Sequence, residues 1–175
     1  MANETQVINK ALQGDRDAFC CIYDLYKDRL YRYAFYRLRN REEAEDAVSD
    51  CVLSAWKQIR SLREPEAFPA WIFRILSGSC SKIIKKQIDD REKASELWRD
   101  ETRKREGSLS AGCPDQALVL QEALRLLSEE ERNIVLLSVI AGLKSGEIAD
   151  ITGLTAGSVR SSLSRSLHKM RGYLE

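Results

Sequence analysis

The chain has 175 residues, 43% of them hydrophobic and 31% charged, with a formal net charge of +1. That is room for one ordinary domain or two small ones, with the make-up of a globular protein. It excludes a membrane span, since no apolar run approaches the ~20 residues one requires, and it gives no bulk charge that would bind polyanions by itself.

The N-terminal stretch "MANETQVINKALQG" lacks both a basic segment and a continuous apolar one, so no secretory signal is expected and the cytoplasm is the expected location. Next, Phe19, Ile22, Tyr23, Tyr26, Leu30, Tyr33 and Ala34 follow a three-and-four spacing and predict an amphipathic helix. A second, unbroken stripe runs through Ala44, Ala47, Val48, Cys51, Val52, Ala55, Trp56 and Ile59. Asn40 can cap that helix, Glu42 and Glu43 suit its positive end, and Lys57 and Arg60 suit its negative end. After Pro65 a third apolar set, Phe68, Trp71, Ile72, Ile75 and Leu76, leads into the basic run "SKIIKK".

These helices predict a bundle over residues 1–88, with a local charge of +3. Residues 89–116 change character: the stretch is crowded with charge, poor in large apolar residues and ends in Ser, Gly and Pro, which predicts a flexible linker. About 25 such residues would reach about 80 Å when extended.

A second helical lobe is expected over 117–175. Leu118, Leu120, Leu124 and Leu127 suggest its first helix, and Ser128 with Glu131 makes a capping box for the next. That helix uses Ile134, Val135, Leu137, Val139 and Ile140, with Gly142 as its stop. Ser145 is the expected cap of the short helix "GEIADIT", Gly153 permits a sharp turn, and Thr155 caps the last helix. On that helix Val159, Leu163, Leu167, Met170 and Leu174 cluster towards a core, while Arg160, Ser161, Ser164, Arg165 and His168 lie broadly opposite. Short hydroxyls allow close approach to a surface, and arginines reach phosphates or guanine edges. The short helix, glycine-containing turn and longer helix match a helix-turn-helix, whose second helix enters the major groove. The fold class expected is therefore all-α, two helical domains with a helix-turn-helix in the second.

Catalytic chemistry is not expected. The five cysteines contain no C-x-x-C pair, His168 is the only histidine, and no triad or Gly-rich phosphate loop assembles, so neither a metal, a cofactor nor an enzyme activity is predicted. The cysteines read as mostly buried small apolar residues.

Both lobes, in this order, resemble the extracytoplasmic-function group of bacterial sigma factors over about residues 14–88 and 117–174. The resemblance rests on "FCCIYDLYKDRLYRYA", "EEAEDAVSDCVLSAW" and "FPAWIFRIL" in the first lobe, and on "LRLLSEEERNIVLLSVIAGLKSGEIADITGLTAGSVRSSLSR" in the second. It implies an alternative sigma factor that binds bacterial core RNA polymerase, places it on the −10 and −35 elements of promoter DNA and assists melting, with an anti-sigma protein as a further partner. By position in the family pattern, Asp46, Ser49, Asp50 and Leu53 would face polymerase. Arg74, in the W-x-x-R-I pattern with Trp71, leads into the −10 part, for which Lys82, Lys85 and Lys86 would supply cations. Arg160, Ser161, Ser164 and Arg165 would contact bases of the −35 element, with Thr155 as a phosphate-side anchor.

The chain departs from the pattern at several points. "LSGSCSK" offers Gly78 and serines where the family often has a base-capturing asparagine, Ser162 and Leu167 stand at commonly basic positions, and Ser128 replaces a usual proline. Two rival readings are a helix-turn-helix regulator acting without polymerase and a helical adaptor whose last helix docks another protein.

Overall fold

The computed structural model describes residues 2–97 and 115–174, which form eight α-helices and two short 3-10 turns, with no strand among them. The first lobe contains α1 (Ala2–Leu12), α2 (Arg16–Leu38), α3 (Arg41–Gln58) and α4 (Phe68–Leu97). The second contains α5 (Asp115–Arg125), α6 (Glu129–Val139), α7 (Ser145–Thr152) and α8 (Ala156–Leu174).

Local chemistry sets the boundaries. Asp15 accepts the Ala18 N–H at 3.0 Å to start α2, and Asn40 accepts the Glu43 N–H at 3.1 Å to start α3. Between them Arg39 adopts a left-handed conformation (φ 57°) and its N–H closes α2 on the Phe35 carbonyl. The Ser128–Glu131 box is formed in both directions. One cap differs from expectation: Ser145 is already helical, so Lys144 is the cap position of α7 and its N–H donates to the Glu147 carboxylate at 2.7 Å.

In the first lobe Ile22, Leu30, Tyr33, Ile59, Phe68, Phe73 and Leu76 are fully enclosed. Tyr26 meets Phe68, and Tyr33 meets Phe73, edge to face at 5.3 and 5.6 Å. Helix α1 adds Ile8 and Ala11 to this core, with Val7 and Leu12 packed against it, and Glu4 accepts a 2.8 Å bond from the Tyr26 hydroxyl. In the second lobe Leu124, Ile134, Leu137, Ile148 and Val159 are enclosed.

Several predicted core positions lie elsewhere. Trp56 and Tyr23 are 38% and 36% exposed at the rim of α2 and α3, and Val139 is 65% exposed at the last position of α6. Leu167 is 41% exposed while its neighbour Ser166 is buried: Val159, Leu163, Ser166 and Met170 share a face spanning about 60°, and Leu167 sits about 70° from its middle. The side chains of Leu118 and Leu174 lie outside the described residues. Cys51 and Cys80 are buried as expected, Cys20 and Cys21 are exposed, and Cys113 lies outside the described residues.

Helix α4 runs without a break from Phe68 to Leu97. The Gly78 segment is therefore helical, and Asp89–Leu97, expected in the linker, continue the helix. The rest of that linker to Pro114 lies outside the described residues.

The lobes touch, α2 packing on α6 and α4 on α7. At the centre of the seam Arg37, 3% exposed, donates from Nε to Glu129 Oε1 at 2.8 Å and from Nη1 to the Tyr33 hydroxyl at 2.9 Å. The same guanidinium binds Ser77 and Ser81 of α4.

Candidate polymerase and promoter-DNA interfaces

The polymerase-facing candidates lie on α3. Asp46, Ser49, Asp50 and Leu53 follow i, i+3, i+4, i+7 spacing and all four are exposed, Leu53 at 59%. Their helix buries the opposite side, Ala44, Ala47, Val48, Cys51 and Ala55, into the core. The result is an acidic face with one bare leucine. Beside it a cleft of about 310 Å3 opens between α2 and α3, lined by Tyr23, Lys27, Asp28, Tyr31, Glu45, Val48 and Ser49. Sequence reasoning assigned Tyr23 and Trp56 to the core and so missed the aromatic rim: Trp56, packed on Phe19 at 5.1 Å, leaves part of its ring in solvent. Their spacing fits a stripe; only the neighbouring helices reveal where the stripe ends.

The −10 candidates share α4. At about 100° per residue Arg74, Lys82 and Lys85 fall within about 80° of one another, with Lys86 a further 40° on. All four are exposed. None of the three lysines forms an ion pair among the described residues, so their charges stand free for an anionic partner. Arg74 is engaged: its Nη2 donates to the Asp150 carbonyl of α7 at 3.4 Å. Trp71 and Ile75 are half-buried against the core, consistent with packing.

The −35 candidates converge on one surface of α8. Gly153, left-handed at φ 76°, ends α7 and reverses the chain within three residues, a geometry that costs a side-chain-bearing residue about 1–2 kcal/mol. Thr155 then accepts the Ser158 N–H at 3.1 Å, leaving the other first-turn N–H groups pointing outward. Arg160, Ser161, Ser164 and Arg165 are all exposed, and Arg165 is steadied by a 3.3 Å bond from Nε to the Ser161 carbonyl. No acid occurs anywhere in α8. Of its other cations, Lys169 is held by Glu131 at 2.7 Å, beneath the face rather than on it. The face combines a helix N-terminus, short hydroxyls and two guanidinium groups, which suits phosphate anchoring and reading of base edges in a major groove.

No group of three or more His, Cys, Asp and Glu side chains among the described residues is arranged to hold a metal ion. No helix of the described residues is long and apolar enough to cross a membrane.

Two family models match the chain in the order of its lobes: sigma-70 region 2 over residues 22–88, and sigma-70 region 4 over residues 117–170. RNA polymerase sigma factor SigV of Bacillus subtilis (strain 168) is 33% identical over 153 residues, covering 86% of this chain and 87% of the relative. ECF RNA polymerase sigma factor SigW of the same organism is 27% identical over 176 residues, covering 95% and 94%. Among solved structures, sigma factor RpoE in complex with the anti-sigma factor NepR, from Bartonella quintana, aligns with a TM-score of 0.73 at 22% identity over 89% of this chain and 96% of that one, which shows the shared fold. The two region models in this order, together with the 33% identity to a relative covered over most of its length, make this chain a member of the extracytoplasmic-function group of sigma-70 family sigma factors, which direct RNA polymerase to promoters.

Proposed function

We propose that this alternative sigma factor divides its work among three faces. The α3 face of Asp46, Ser49, Asp50 and Leu53 docks core polymerase. Helix α8 enters the major groove of the −35 element with Arg160, Ser161, Ser164 and Arg165 at the bases and Thr155 beside a phosphate. Arg74, Lys82, Lys85 and Lys86 on α4 follow the −10 strand as it opens. The factor acts by binding energy, performs no covalent chemistry, and works in the cytoplasm with polymerase. An anti-sigma protein of the kind bound to the RpoE relative would hold it in reserve.

What carries the reading is the separation of charge by face. The exposed surface of α8 bears cations and hydroxyls with no acid, whereas the docking face of α3 bears Asp46 and Asp50. A free regulator would need only the first.

The test is enrichment of random duplex DNA by polymerase reconstituted with this chain. Two separated sequence blocks should emerge, and Arg160→Ala with Arg165→Ala should erase the upstream block alone. A palindrome enriched by the chain without polymerase would instead favour the stand-alone regulator.

A further inference from the structure

Arginines outnumber acids where α2 ends. Arg37 fixes the place: its guanidinium binds Ser77 and Ser81 of α4 and reaches Glu129 at the start of α6. Helices α2 and α4 run the same way here, since Tyr33 meets Phe73 one turn before Arg37 meets Ser77. The chain then turns at Arg39, and Glu43 in the first turn of α3 accepts from the Gln87 amide at 2.7 Å. Held between these two anchor points, Arg39 lies beside the stretch of α4 that follows Ser81. At about 100° per residue Ser77, Ser81, Ile84, Ile88 and Arg91 fall within about 80° of one another, so Arg91 rises from the same side of α4, about 15 Å beyond Ser81. The second lobe supplies the facing side. Arg132, one turn after Glu129, donates from Nε to the Leu124 carbonyl and from Nη2 to the Leu127 carbonyl, each at 3.1 Å. That fastens the end of α5 beside α6, and Arg125 is the last residue of α5.

Charge at this junction is unbalanced. Arg37, Arg39, Arg91, Arg125 and Arg132 bring five positive charges, and Glu122 and Glu129 bring two negative ones, which leaves an excess of three. Arg125 is paired with Glu122 at 2.9 Å, and Arg37 with Glu129. Arg39 and Arg91 are exposed, and neither has a hydrogen bond or an ion pair among the described residues. Burial holds the Arg39 guanidinium below its ordinary pKa; Arg125 and Arg91 push it the same way, and Glu122 opposes them. Arg132 is lowered by burial and then by Arg39. Guanidinium groups held this close together favour an anion between them.

The backbone carries a second sign. Arg39 is left-handed (φ 57°, ψ 26°), the one non-glycine residue with positive φ among the described residues. That conformation suits glycine or asparagine at a helix end and strains an arginine. Local strain of this kind gathers at ligand sites, and here the strained side chain has no bond of its own within the chain.

We propose that Arg39, Arg91, Arg125 and Arg132 form an anion site that takes a pyrophosphate-bearing small molecule. Guanidinium forks match phosphate oxygens in pairs, and Arg132 keeps its Nη1 free of the bonds that Nε and Nη2 make. Two linked phosphates carry about three negative charges near neutral pH, which balances the excess. Ile88, on the Arg91 side of α4, and Leu126, next to Arg125, are each 49% exposed and offer apolar surface to a base and ribose. None of the four arginines belongs to the faces assigned above to polymerase or promoter, so the site is additional to them.

The full chain, in about 50 mM salt to limit screening, is titrated with inorganic pyrophosphate, ATP and GTP by isothermal calorimetry. Beside it run Arg39→Asn, Arg91→Gln and a Lys10→Gln/Lys57→Gln control, which removes two exposed charges on α1 and at the end of α3. One pyrophosphate should bind per chain, and each arginine variant should weaken it by about ten-fold, the loss of one charge-assisted bond. The control should bind as the native chain does. Asparagine accepts the left-handed conformation, so Arg39→Asn should melt no lower than the native chain while its affinity falls. A purely structural role for Arg39 would give the reverse and overturn the site. A nucleotide that binds more tightly than pyrophosphate, with the gain lost in Ile88→Ser, makes the site a nucleotide site; equal affinities make it a site for free pyrophosphate. Absence of binding, native affinity in both arginine variants, or full displacement by sodium sulfate at equal ionic strength overturns the proposal. So does a short oligothymidylate that binds through the same arginines while pyrophosphate does not, which would give the cluster to nucleic acid. Should Arg39→Asn lose helicity by circular dichroism, Arg91→Gln decides by the same readings.

Discussion

The hydroxyl of Tyr33 donates to the side-chain oxygen of Asn133 at 2.5 Å across a sequence separation of 100 residues, and both residues are buried. Removing the hydroxyl alone leaves Asn133 with an unpaired buried oxygen and takes an acceptor from Arg37. Tyr33→Phe is expected to destabilise the closed chain by roughly 1–3 kcal/mol, the cost of an orphaned buried polar group. A double-mutant cycle with Asn133→Ala in urea unfolding should return a coupling energy; strict additivity would mean the bond contributes nothing.

Of the residues proposed to read the −35 element, Arg165 has the role easiest to read out. Arg165→Ala in the reconstituted holoenzyme should cost roughly 1–3 kcal/mol of discrimination at one base pair if the side chain is bidentate to guanine. An equal loss on every −35 sequence would reassign it to a phosphate.

Ser166 is fully buried on the core face of α8, and its hydroxyl has no hydrogen-bond partner. Ser166→Ala removes an unsatisfied polar atom without opening a large cavity. Stability measured by thermal unfolding should rise by about 1 kcal/mol; a fall would show that the hydroxyl finds a partner, such as an ordered water.

The cysteines divide by environment. Burial pushes the Cys51 and Cys80 thiols up to about 12, far from the thiolate form that reacts. Cys20 and Cys21 are exposed on α2. Brief treatment of the folded protein with iodoacetamide near pH 8, followed by peptide mass spectrometry, should find label at Cys20 and Cys21 and none at Cys51 and Cys80 until denaturant is added. Early labelling of Cys51 or Cys80 would mean the first lobe opens far more readily than its packing implies.

Much of this molecule was legible in its sequence because long helices announce themselves by period. The stripes of α2 and α3, the Asn40 and Thr155 caps, the Ser128–Glu131 box and the Gly153 turn all have local causes, and all are formed. What escaped depends on tertiary neighbours. Helix α1 carries Val7, Ile8, Ala11 and Leu12 at helical spacing, but over only 11 residues, and its packing on α2 is what shows that they join the core. Leu167, expected in the core, is half in solvent while Ser166 is buried, because the packing direction of α8 is set by α6 and α7, not by which residue is more apolar. Arg37 is the largest omission. A charged side chain reads as solvated, and nothing nearby in sequence points to Glu129, 92 residues away.

The α3 face proposed to bind polymerase, Asp46, Ser49, Asp50 and Leu53, is exposed. The most direct measurement is therefore co-elution of the purified chain with bacterial core RNA polymerase on gel filtration, set beside the folded Asp46→Arg/Asp50→Arg variant. Assignment of α3 as the docking helix requires the native chain to travel with core polymerase and the double variant to elute alone. A double variant that still travels with polymerase would remove these residues from the interface, and a folded native chain that never does would contradict the functional account itself.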